Sequence, residues 1–273
     1  MTTPSTPADD GYAQPYADFD SDLVRRVRQA AYGEDIGQHS WVTVDELRSD
    51  IQRLPFSPST RFVDLGCGPG GPLTFVLKSV GCAGTGVDLS GSALEVARRR
   101  AATLGVDQLL TAHQADLDEP LPFADHSFDI AMSLDVVVHV RNRKRFFNEV
   151  ARVLAHGGRF LFTDAGVLTG VVSNEEVAAR SVHGFTQFAA RGFNENLLEL
   201  AGFRILHTED RTRGLLGNAK GRLAARSTHR DALEALEGSE YFHCQQRYLE
   251  TVIALSERGA LARLMCLAEI ATR

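Results

Sequence analysis

The stretch that decides the fold is Val63-Asp64-Leu65-Gly66-Cys67-Gly68-Pro69-Gly70-Gly71-Pro72. It reads as a short hydrophobic strand, a glycine-rich turn and the start of a helix that we expect over residues 73–80. Glycines suit such a turn because its backbone angles and the close approach of a ligand leave no room for a Cβ atom. The first N–H groups of the helix have no partner within it, so they offer a polar site. The stretch therefore predicts a nucleotide-binding turn.

The glycine spacing alone fits two kinds of cofactor site. Gly66, Gly68 and Gly71 also satisfy the G-x-G-x-x-G pattern of a dinucleotide site, and Asp88 follows at the distance expected for its acidic residue. Two further signals separate the alternatives: Asp64, which stands two residues before the first glycine, and the order of the motifs that follow.

Composition excludes several classes of protein. At 273 residues and 44% hydrophobic content, the chain has the size of one α/β domain with an appended cap. Its net charge of −6 disfavours nucleic acid as a partner. No stretch reaches the roughly 18 apolar residues of a membrane helix, and the N-terminus lacks an apolar signal core. We therefore expect a soluble, cytoplasmic protein.

The cysteines and acidic residues do not indicate a metal site. Cys67, Cys82, Cys244 and Cys266 lack the C-x-x-C spacing of a thiolate zinc site, and they do not form a disulfide framework. No acidic triplet is grouped near the fourth predicted strand. We predict that the protein uses no metal.

From residue 61 onward, short apolar strands alternate with helical segments. The predicted strands cover residues 61–65, 83–88, 108–112, 128–134 and 159–163, followed by one that begins near 201 and a last one at 261–270. Capping boxes predict helix starts at Thr43, Ser92 and Ser173. Such alternation is typical of βαβ units. We predict an α/β fold: a doubly wound, mostly parallel seven-stranded Rossmann-like sheet with a helical cap inserted near the C-terminus.

The same patterns divide the chain into five segments. Residues 1–20, rich in Thr, Pro, Ala and Asp, are expected to form a disordered tail. The other expected segments are an N-terminal helical lid (21–60), a cofactor-binding core (61–210), a helical cap (211–258) and the last core strand (259–273). The cap is interpreted as a specificity element or as a homodimer surface. Its Arg222, Arg226 and Arg230, spaced i, i+4 and i+8, either hold an anionic acceptor or form an exposed charged face.

Acidic residues follow the second and third predicted strands. Ligands of such sheets bind at the carboxyl ends of the strands. Asp88 is placed there to accept hydrogen bonds from the two hydroxyls of a ribose. Asp116 can accept from an adenine amino group while Leu117 packs on the ring. We also expect Leu89 and Leu134 to contact the cofactor; the alternative for both acids is a solvated turn residue or a helix cap.

Three further motifs follow in order: Leu121-Pro-Phe123, Ser127-Phe-Asp-Ile130 and Arg152-Val-Leu-Ala-His-Gly-Gly-Arg-Phe160. With the glycine turn and its acids, they resemble the class I S-adenosylmethionine-dependent methyltransferases over residues 61–165. The resemblance implies S-adenosyl-L-methionine as cofactor and S-adenosyl-L-homocysteine as product. It further implies a contact set for the methionine part of the cofactor, namely Gly66, Cys67, Gly68 and Gly70, with Asp64 supporting the turn or the cofactor's ammonium.

The stretch Ser133-Leu-Asp-Val-Val-Val-His-Val140 looks like the corresponding part of small-molecule methyltransferases of the phosphoethanolamine and glycine/sarcosine type. There the matching histidine lies beside the acceptor, so the resemblance implies that His139 is catalytic. A histidine can take the acceptor's proton because its ordinary pKa is near neutrality. The alternative is that His139 only packs. In the phosphoethanolamine enzymes a tyrosine pairs with this histidine, but here Ile36 follows Gly33-Glu34-Asp35, and Tyr32 is out of register.

We expect the acceptor pocket to be formed by residues outside the glycine turn. The candidates are Trp41, Asp135, His183, Phe185 and Phe188. Trp41 is either part of a lid over the cofactor or an anchor that holds a surface loop. The aromatic side chains near residue 185 either form a wall of the pocket or a small separate core.

The sequence thus predicts an enzyme that methylates an O, N or C nucleophile of a small-molecule acceptor, of the kind found in secondary metabolism. The alternative is a non-catalytic protein that binds S-adenosylmethionine or serves as an interaction module. A protein or nucleic-acid methyltransferase is a weaker interpretation because no basic groove or added recognition domain is evident.

Overall fold

The computed structural model describes Tyr16 and residues 18–182 and 184–271. Its centre is a mixed eight-stranded sheet with the order β3-β2-β1-β4-β5-β8-β7, and the short β6 pairs with β5. The strands are β1 (Phe62–Leu65), β2 (Gly84–Asp88), β3 (Leu110–Gln114), β4 (Phe128–Leu134), β5 (Leu154–Leu168), β6 (Ala189–Ala190), β7 (Phe203–Asp210) and β8 (Leu261–Ile270). Pairs that include β8 are antiparallel, and the other pairs are parallel.

Helices cover both faces of the sheet and form the cap. In chain order they are α1 (Asp22–Tyr32), α2 (Val44–Arg53), α3 (Gly71–Val80), α4 (Gly91–Leu104), α5 (Arg143–Val153), α6 (Asn174–Arg180), α7 (Phe193–Leu200), α8 (Thr212–Thr228), α9 (Arg230–Glu237) and α10 (Ser239–Glu257). Helices α8 to α10 lie between β7 and β8. Within the described residues, no helix is both long and apolar enough to cross a membrane.

The core lies on both faces of the sheet because successive side chains of a strand point in opposite directions. In β1, Val63 and Leu65 pack with Phe146 on one face, whereas Phe62 packs with Leu73 on the other. A third cluster, which includes Trp41, Leu215, Tyr248 and Leu249, lies beneath the cap. It joins the N-terminal segment to α8 and α10 and thereby closes the region above the strand ends.

The predicted doubly wound, mostly parallel sheet is confirmed, with local differences. The sheet has an eighth strand, the two-residue β6. Strand β3 starts later than predicted because residues 107–109 form a 3₁₀ turn, and β5 continues past residue 163 as far as Leu168.

The capping boxes at Thr43 and Ser173 are present, but the one predicted at Ser92 is not. Helix α4 begins two residues earlier with Ser90 as its N-cap, and the Ser90 side chain accepts from the backbone N–H of Ala93. The predicted arginine row is also interrupted. Helix α8 ends at Thr228, so Arg230 belongs to the next helix, although Arg226 and Arg230 both lie over the ring of Phe242.

The N-terminal segment differs from the predicted tail. Residues 1–15 and 17 lie outside the described residues, but Tyr16 and Phe19 are buried against Ala93 and Val96 of α4. The Phe19 ring also lies under the Arg28 guanidinium, whose carbon is 4.0 Å from the ring centroid. The burial of these two aromatic side chains removes apolar surface from water and holds residues 16 and 19 against the core.

Candidate active site

A cavity of about 260 Å³ lies at the carboxyl ends of β1, β2, β3 and β4. Most residues proposed from the sequence lie in its wall. Those of the predicted cofactor site are Asp64, Gly66, Cys67, Gly68, Asp88, Leu89, Asp116, Leu117 and Leu134, and those of the predicted acceptor site are Trp41, Asp135, His139 and Phe185. Gly70 and Phe188 do not line it, and His183 lies outside the described residues.

The glycine turn runs along the cavity with its backbone. Gly66 has a φ of 78°, and a Cβ atom there would lie 2.4 Å from a methyl group of Val136. The backbone N–H groups of Gly66 and Cys67 both donate to the carbonyl oxygen of Val87. The turn is therefore fixed to the end of β2, and its glycine allows the loop after β4 to pack close by.

Gly70 serves a different purpose from the one predicted. It is the N-cap of α3 with a φ of 74°, and a Cβ atom there would lie 2.6 Å from that of Ala97 in α4. The glycine therefore permits close packing of α3 and α4. The structure supplies no contact between Gly70 and the cavity.

Asp88 connects the tip of β2 to the glycine turn. Its Oδ2 accepts from the N–H of Gly68 at 2.8 Å, and its Oδ1 accepts from the N–H of Ser90 at 2.9 Å. Asp88 is thus held rigidly in the wall of the cavity.

Asp64 is a buried acid beside Asp88, with 4% of its surface exposed. Burial, and secondarily the charge of Asp88, raises the pKa of Asp64 to about 7. Within the described residues its side chain makes no hydrogen bond or ion pair. A carboxyl group in this position favours a cationic ligand, because a positive charge would stabilise its ionised form.

The loop after β3 provides an acid and an apolar surface. Asp116 Oδ1 accepts from the N–H of Asp118 at 2.9 Å, which closes a tight turn that presents Leu117 to the cavity. The Asp118 carboxylate accepts from the N–H groups of Arg141 and Asn142, at 3.1 and 2.8 Å. Asp118, which sequence reasoning did not select, therefore fixes the loop of His139 to the loop of Asp116.

His139 lies in a 3₁₀ turn just after β4 and lines the cavity. Its Nδ1 is 2.9 Å from the carbonyl oxygen of Phe185. A carbonyl can only accept, so Nδ1 carries the proton and Nε2 is the basic nitrogen of the neutral ring. Burial lowers the pKa of His139. Near neutral pH the ring is therefore unprotonated and suited to accept a proton.

Asp135 was predicted to line the acceptor pocket, but its carboxylate accepts hydrogen bonds from three other residues of the protein. It has a φ of 63°, an uncommon value for a residue other than glycine. Its Oδ1 lies 2.7 Å from Nε of Arg263, and its Oδ2 accepts from the N–H of Trp41 at 2.8 Å. Thr163 also donates to Oδ1. Asp135 therefore organises the wall of the cavity.

Trp41 is an anchor whose ring forms part of the cavity wall. Besides the bond to Asp135, its carbonyl oxygen accepts from Asn218 at 2.7 Å. Its ring stacks on Tyr248, with 6.0 Å between the centroids and 24° between the planes. Phe188, by contrast, packs on the cluster beneath the cap and so belongs to a separate small core.

Among the cavity residues that were not assigned to the site from the sequence are Tyr16, His39, Ser40 and Arg180. Burial, followed by the charges of Arg222 and Arg28, lowers the pKa of His39 to about 3, so this ring is neutral at physiological pH. Tyr16 lies over the glycine turn: a Cβ atom at Gly68 would be 3.2 Å from its hydroxyl oxygen. His39 and Ser40 directly precede Trp41 in the predicted lid, whereas the local patterns around Tyr16 and Arg180 carry no signal for the site.

The described residues contain no group of three or more His, Cys, Asp or Glu side chains arranged to hold a metal ion.

Residues 63–162 match the family model described as a methyltransferase domain. Over 218 residues the chain is 31% identical to the O-methyltransferase resE of Aspergillus sclerotiorum, a match that covers 77% of this chain and 81% of that protein. The chain belongs to the class I S-adenosylmethionine-dependent methyltransferases.

Two further methyltransferases are similar to parts of this chain. Identity is 32% over 165 residues to the methyltransferase GfsG of Streptomyces halstedii, covering 58% of each chain. It is 27% over 229 residues to the glycine/sarcosine/dimethylglycine N-methyltransferase of Actinopolyspora halophila, covering 84% of this chain and 40% of that enzyme. The chain therefore spans about half the length of these two relatives.

The fold is shared with the cyclopropane synthase MmaA2 of Mycobacterium tuberculosis, with a TM-score of 0.83 at 13% identity. The match covers 97% of this chain and 99% of that structure. At this identity the likeness establishes the Rossmann-like methyltransferase fold.

Proposed function

We propose that the protein transfers the methyl group of S-adenosyl-L-methionine to an O, N or C nucleophile of a small-molecule acceptor, as in secondary metabolism. The name of one relative supports a small acceptor, since it is an N-methyltransferase of glycine, sarcosine and dimethylglycine. Another relative is named as an O-methyltransferase, which supports transfer to oxygen as a second possibility. The observation that carries the proposal is the pair of acids Asp64 and Asp88 beside the glycine turn.

The cavity fits this cofactor at its acidic end. S-adenosylmethionine bears an ammonium group and a sulfonium, and the buried Asp64, without a cationic partner in the described ranges, has its pKa raised to about 7. A cation next to such a carboxyl relieves the cost of ionising it. Gly66 and Gly68 present their backbone to the same space. We therefore assign Asp64 to the ammonium of the cofactor.

We assign the adenosine part of the cofactor to the carboxyl ends of β2 and β3. The Asp88 carboxylate, which lines the cavity beside the glycine turn, suits the ribose hydroxyls, and Asp116 suits the amino group of adenine. Leu89 and Leu117 provide apolar surface for the base. Leu134 lies at the end of β4 and completes this wall.

The cofactor supplies an activated methyl group, so the protein has to orient the acceptor and exclude water. Arg222 and Tyr248 of the cap form part of the cavity wall. His139 lines the cavity with Nδ1 bonded to the carbonyl of Phe185, and we assign its basic nitrogen to the acceptor's proton. Trp41 and Phe185 form the walls beside it.

The test is calorimetric titration with S-adenosylmethionine and S-adenosylhomocysteine, followed by detection of S-adenosylhomocysteine formed with a panel of small O, N and C nucleophiles. Binding together with acceptor-dependent product formation is expected. No binding of either compound would refute the proposal. Binding without turnover on any acceptor would favour the alternative, a non-catalytic cofactor-binding protein.

We also propose a cytoplasmic location and the division into a helical lid (21–60), a core (61–210), a cap (211–258) and the last strand. All four cysteines are free thiols, which suits a reducing compartment. A homodimer formed through the cap is proposed as well. Light scattering on the purified protein, alone and with the exposed cap residue Leu236→Glu, would measure the oligomeric state.

A further inference from the structure

Arg180 is a buried cation in the cavity wall. It ends helix α6, and 4% of its surface is exposed. Its Nη1 donates to the hydroxyl of Tyr248 at 3.0 Å and its Nη2 to the carbonyl oxygen of Ala165 at 3.2 Å. Its Nε has no hydrogen-bond partner among the described residues, and the guanidinium forms no ion pair there. A buried guanidinium with neutral partners alone is costly unless a ligand supplies the negative charge.

Arg222 is a second cation in the cavity wall, and it is partly buried. It lies on α8, lines the cavity and places its guanidinium carbon 4.9 Å from the centroid of the Trp41 ring. Within the described part of the chain it forms no hydrogen bond or ion pair. The neighbouring arginines differ: Arg226 is paired with Glu237 and Arg230 with Glu234.

Arg180 and Arg222 flank the stacked aromatic pair in the cavity wall. The Arg180 guanidinium carbon lies 4.9 Å from the centroid of Tyr248, whose ring stacks on Trp41. We call these four residues the basic end of the cavity. Each cation is held by an aromatic ring, which fixes its position without neutralising its charge.

The acids of the cavity do not compensate this charge. Three of these acids lie where the cofactor is proposed to bind: Asp64 near the end of β1, Asp88 at the end of β2 and Asp116 in the loop after β3. Asp135 is paired with Arg263 at 2.7 Å. Asp118 accepts from two backbone N–H groups. The cavity therefore has an acidic end and a basic end.

His39 and His139 also lie near the basic end of the cavity. Among the charges that lower the pKa of His39, Arg222 is the largest, after burial itself. Arg180 likewise lowers the pKa of His139, after burial. The positive charge thus acts on the side of the cavity where His139 would meet an acceptor.

We infer that the acceptor is an anion, whose carboxylate or phosphate group binds at the basic end formed by Arg180 and Arg222. Guanidinium groups bind both oxyanions with paired hydrogen bonds, and they do so most strongly where water is excluded. The inference rests on the proposed function in calling this ligand the acceptor. Binding of the anion itself can be measured without methyl transfer.

The experiment uses the fluorescence of Trp41, which is the single tryptophan of the sequence and lies against Arg222. The full chain, saturated with S-adenosylhomocysteine, is titrated at constant ionic strength with inorganic phosphate, with acetate and with acetamide as the uncharged analogue of acetate. A saturable change with phosphate or acetate, and none with acetamide, is expected. The anion that saturates at the lower concentration identifies the preferred group.

Arg222→Met tests the assignment, because Arg222 is only partly buried. Loss of one hydrogen-bonded charge is expected to weaken anion binding by about tenfold or more, and Arg222→Lys is expected to restore part of it. Arg213→Met, on an exposed position of the same helix, is the matched control and should bind as the wild type does. Calorimetry with the same anions provides an independent measure of affinity. Arg180→Lys, which keeps the buried charge, should bind more weakly than wild type.

Two results would overturn the inference: equal responses to acetate and acetamide, or unchanged anion affinity in Arg222→Met. Failure of the proposed function is recognised separately, since it appears as loss of S-adenosylhomocysteine binding in the wild type. Binding of that compound combined with methylation of uncharged acceptors only would retain the proposed function and refute the anionic acceptor.

Discussion

Arg263 of β8 and Asp135 after β4 form a buried ion pair, with 2.7 Å between Nε and Oδ1. The Arg263 side chain is fully buried, and the Asp135 side chain is 5% exposed. Arg263 also binds Glu46 of α2 at 2.7 Å. Since Asp135 in turn accepts from the N–H of Trp41, this pair joins the sheet, the N-terminal helices and the cavity wall.

We predict that Arg263→Met strongly destabilises the fold. The change leaves Asp135 and Glu46 without their cation, and removing one partner of a buried pair costs about 3–5 kcal/mol. Urea denaturation would measure the free energy of unfolding. The matched control is Arg25→Met, which breaks an exposed pair with Asp22 and should cost less than about 1 kcal/mol. Similar losses in both variants would contradict the role assigned to Arg263.

We predict that Asp88→Ala greatly weakens binding of S-adenosylhomocysteine. The variant loses both the proposed ribose contact and the bond that orients Gly68. Hydrogen bonds to a charged group contribute about 1.5–3 kcal/mol, so a loss of about 10- to 100-fold in affinity is the minimum expected. Calorimetry would measure it, with Asp107→Ala, an exposed residue before β3, as control. Unchanged affinity in Asp88→Ala would remove the ribose assignment.

We predict that binding of S-adenosylhomocysteine near pH 7 releases a proton from Asp64. The pKa of this carboxyl is raised to about 7, so it is partly protonated in the empty protein. A bound ammonium favours the ionised form, and affinity should therefore rise with pH up to about 7 and level off above it. Calorimetry in buffers of different ionisation enthalpy counts the protons released.

The same group makes the empty protein less stable as the pH rises. Its folded-state pKa of about 7 lies above the ordinary 3.8, so the native state binds more protons than the unfolded state between these values. This contribution to stability is complete below 3.8 and is lost as the pH rises through about 7. In Asp64→Asn both the proton release and this part of the pH dependence should disappear. Proton release that persists in Asp64→Asn would assign it to another group.

We predict that His139→Ala lowers turnover while the affinity for S-adenosylhomocysteine is kept. General-base catalysis contributes about 10²- to 10⁴-fold, which sets the expected loss for an acceptor that the wild type methylates. Because burial lowers the pKa of His139 below 6.5, turnover of the wild type at saturating S-adenosylmethionine should fall only at pH values below 6.5. His156→Ala, at an exposed position, is the control. If His139→Ala turns over as fast as wild type, His139 only packs.

The central sheet and the acidic end of the cavity could be predicted because their signals are local. Each strand is a short apolar run, and parallel strands bring their carboxyl ends to one edge. Asp64 lies near the end of β1, Asp88 is the last residue of β2 and Asp116 comes two residues after β3, so their proximity follows from the strand order. The glycine turn adds its own signal, since Gly66 needs a positive φ.

The basic end and the ion pair of Arg263 depend on tertiary packing and have no such signal. Arg180 ends a seven-residue helix, and Arg263 looks like one polar residue in an apolar strand. Their partners are distant in the sequence: Asp135 is 128 residues from Arg263. The predicted row of three arginines on one helix was wrong because α8 ends at Thr228. No glycine or proline marks this helix end in the sequence.

The three helices between β7 and β8 leave the sheet and return to it at adjacent, antiparallel strands, with Asp210 paired to Leu264. Both ends of this excursion are therefore fixed by main-chain pairing that is independent of the helices' own side chains. Gly214 and Gly221 are exceptions, since a Cβ atom at either position would lie 2.3 Å from an oxygen, that of the Glu46 side chain or that of the Ala31 backbone. An engineer who exchanges residues 212–257 as a cassette, to retarget the enzyme to new acceptors, would therefore keep both glycines together with the Asn218 bond to Trp41 and the stacking of Tyr248 on the Trp41 ring.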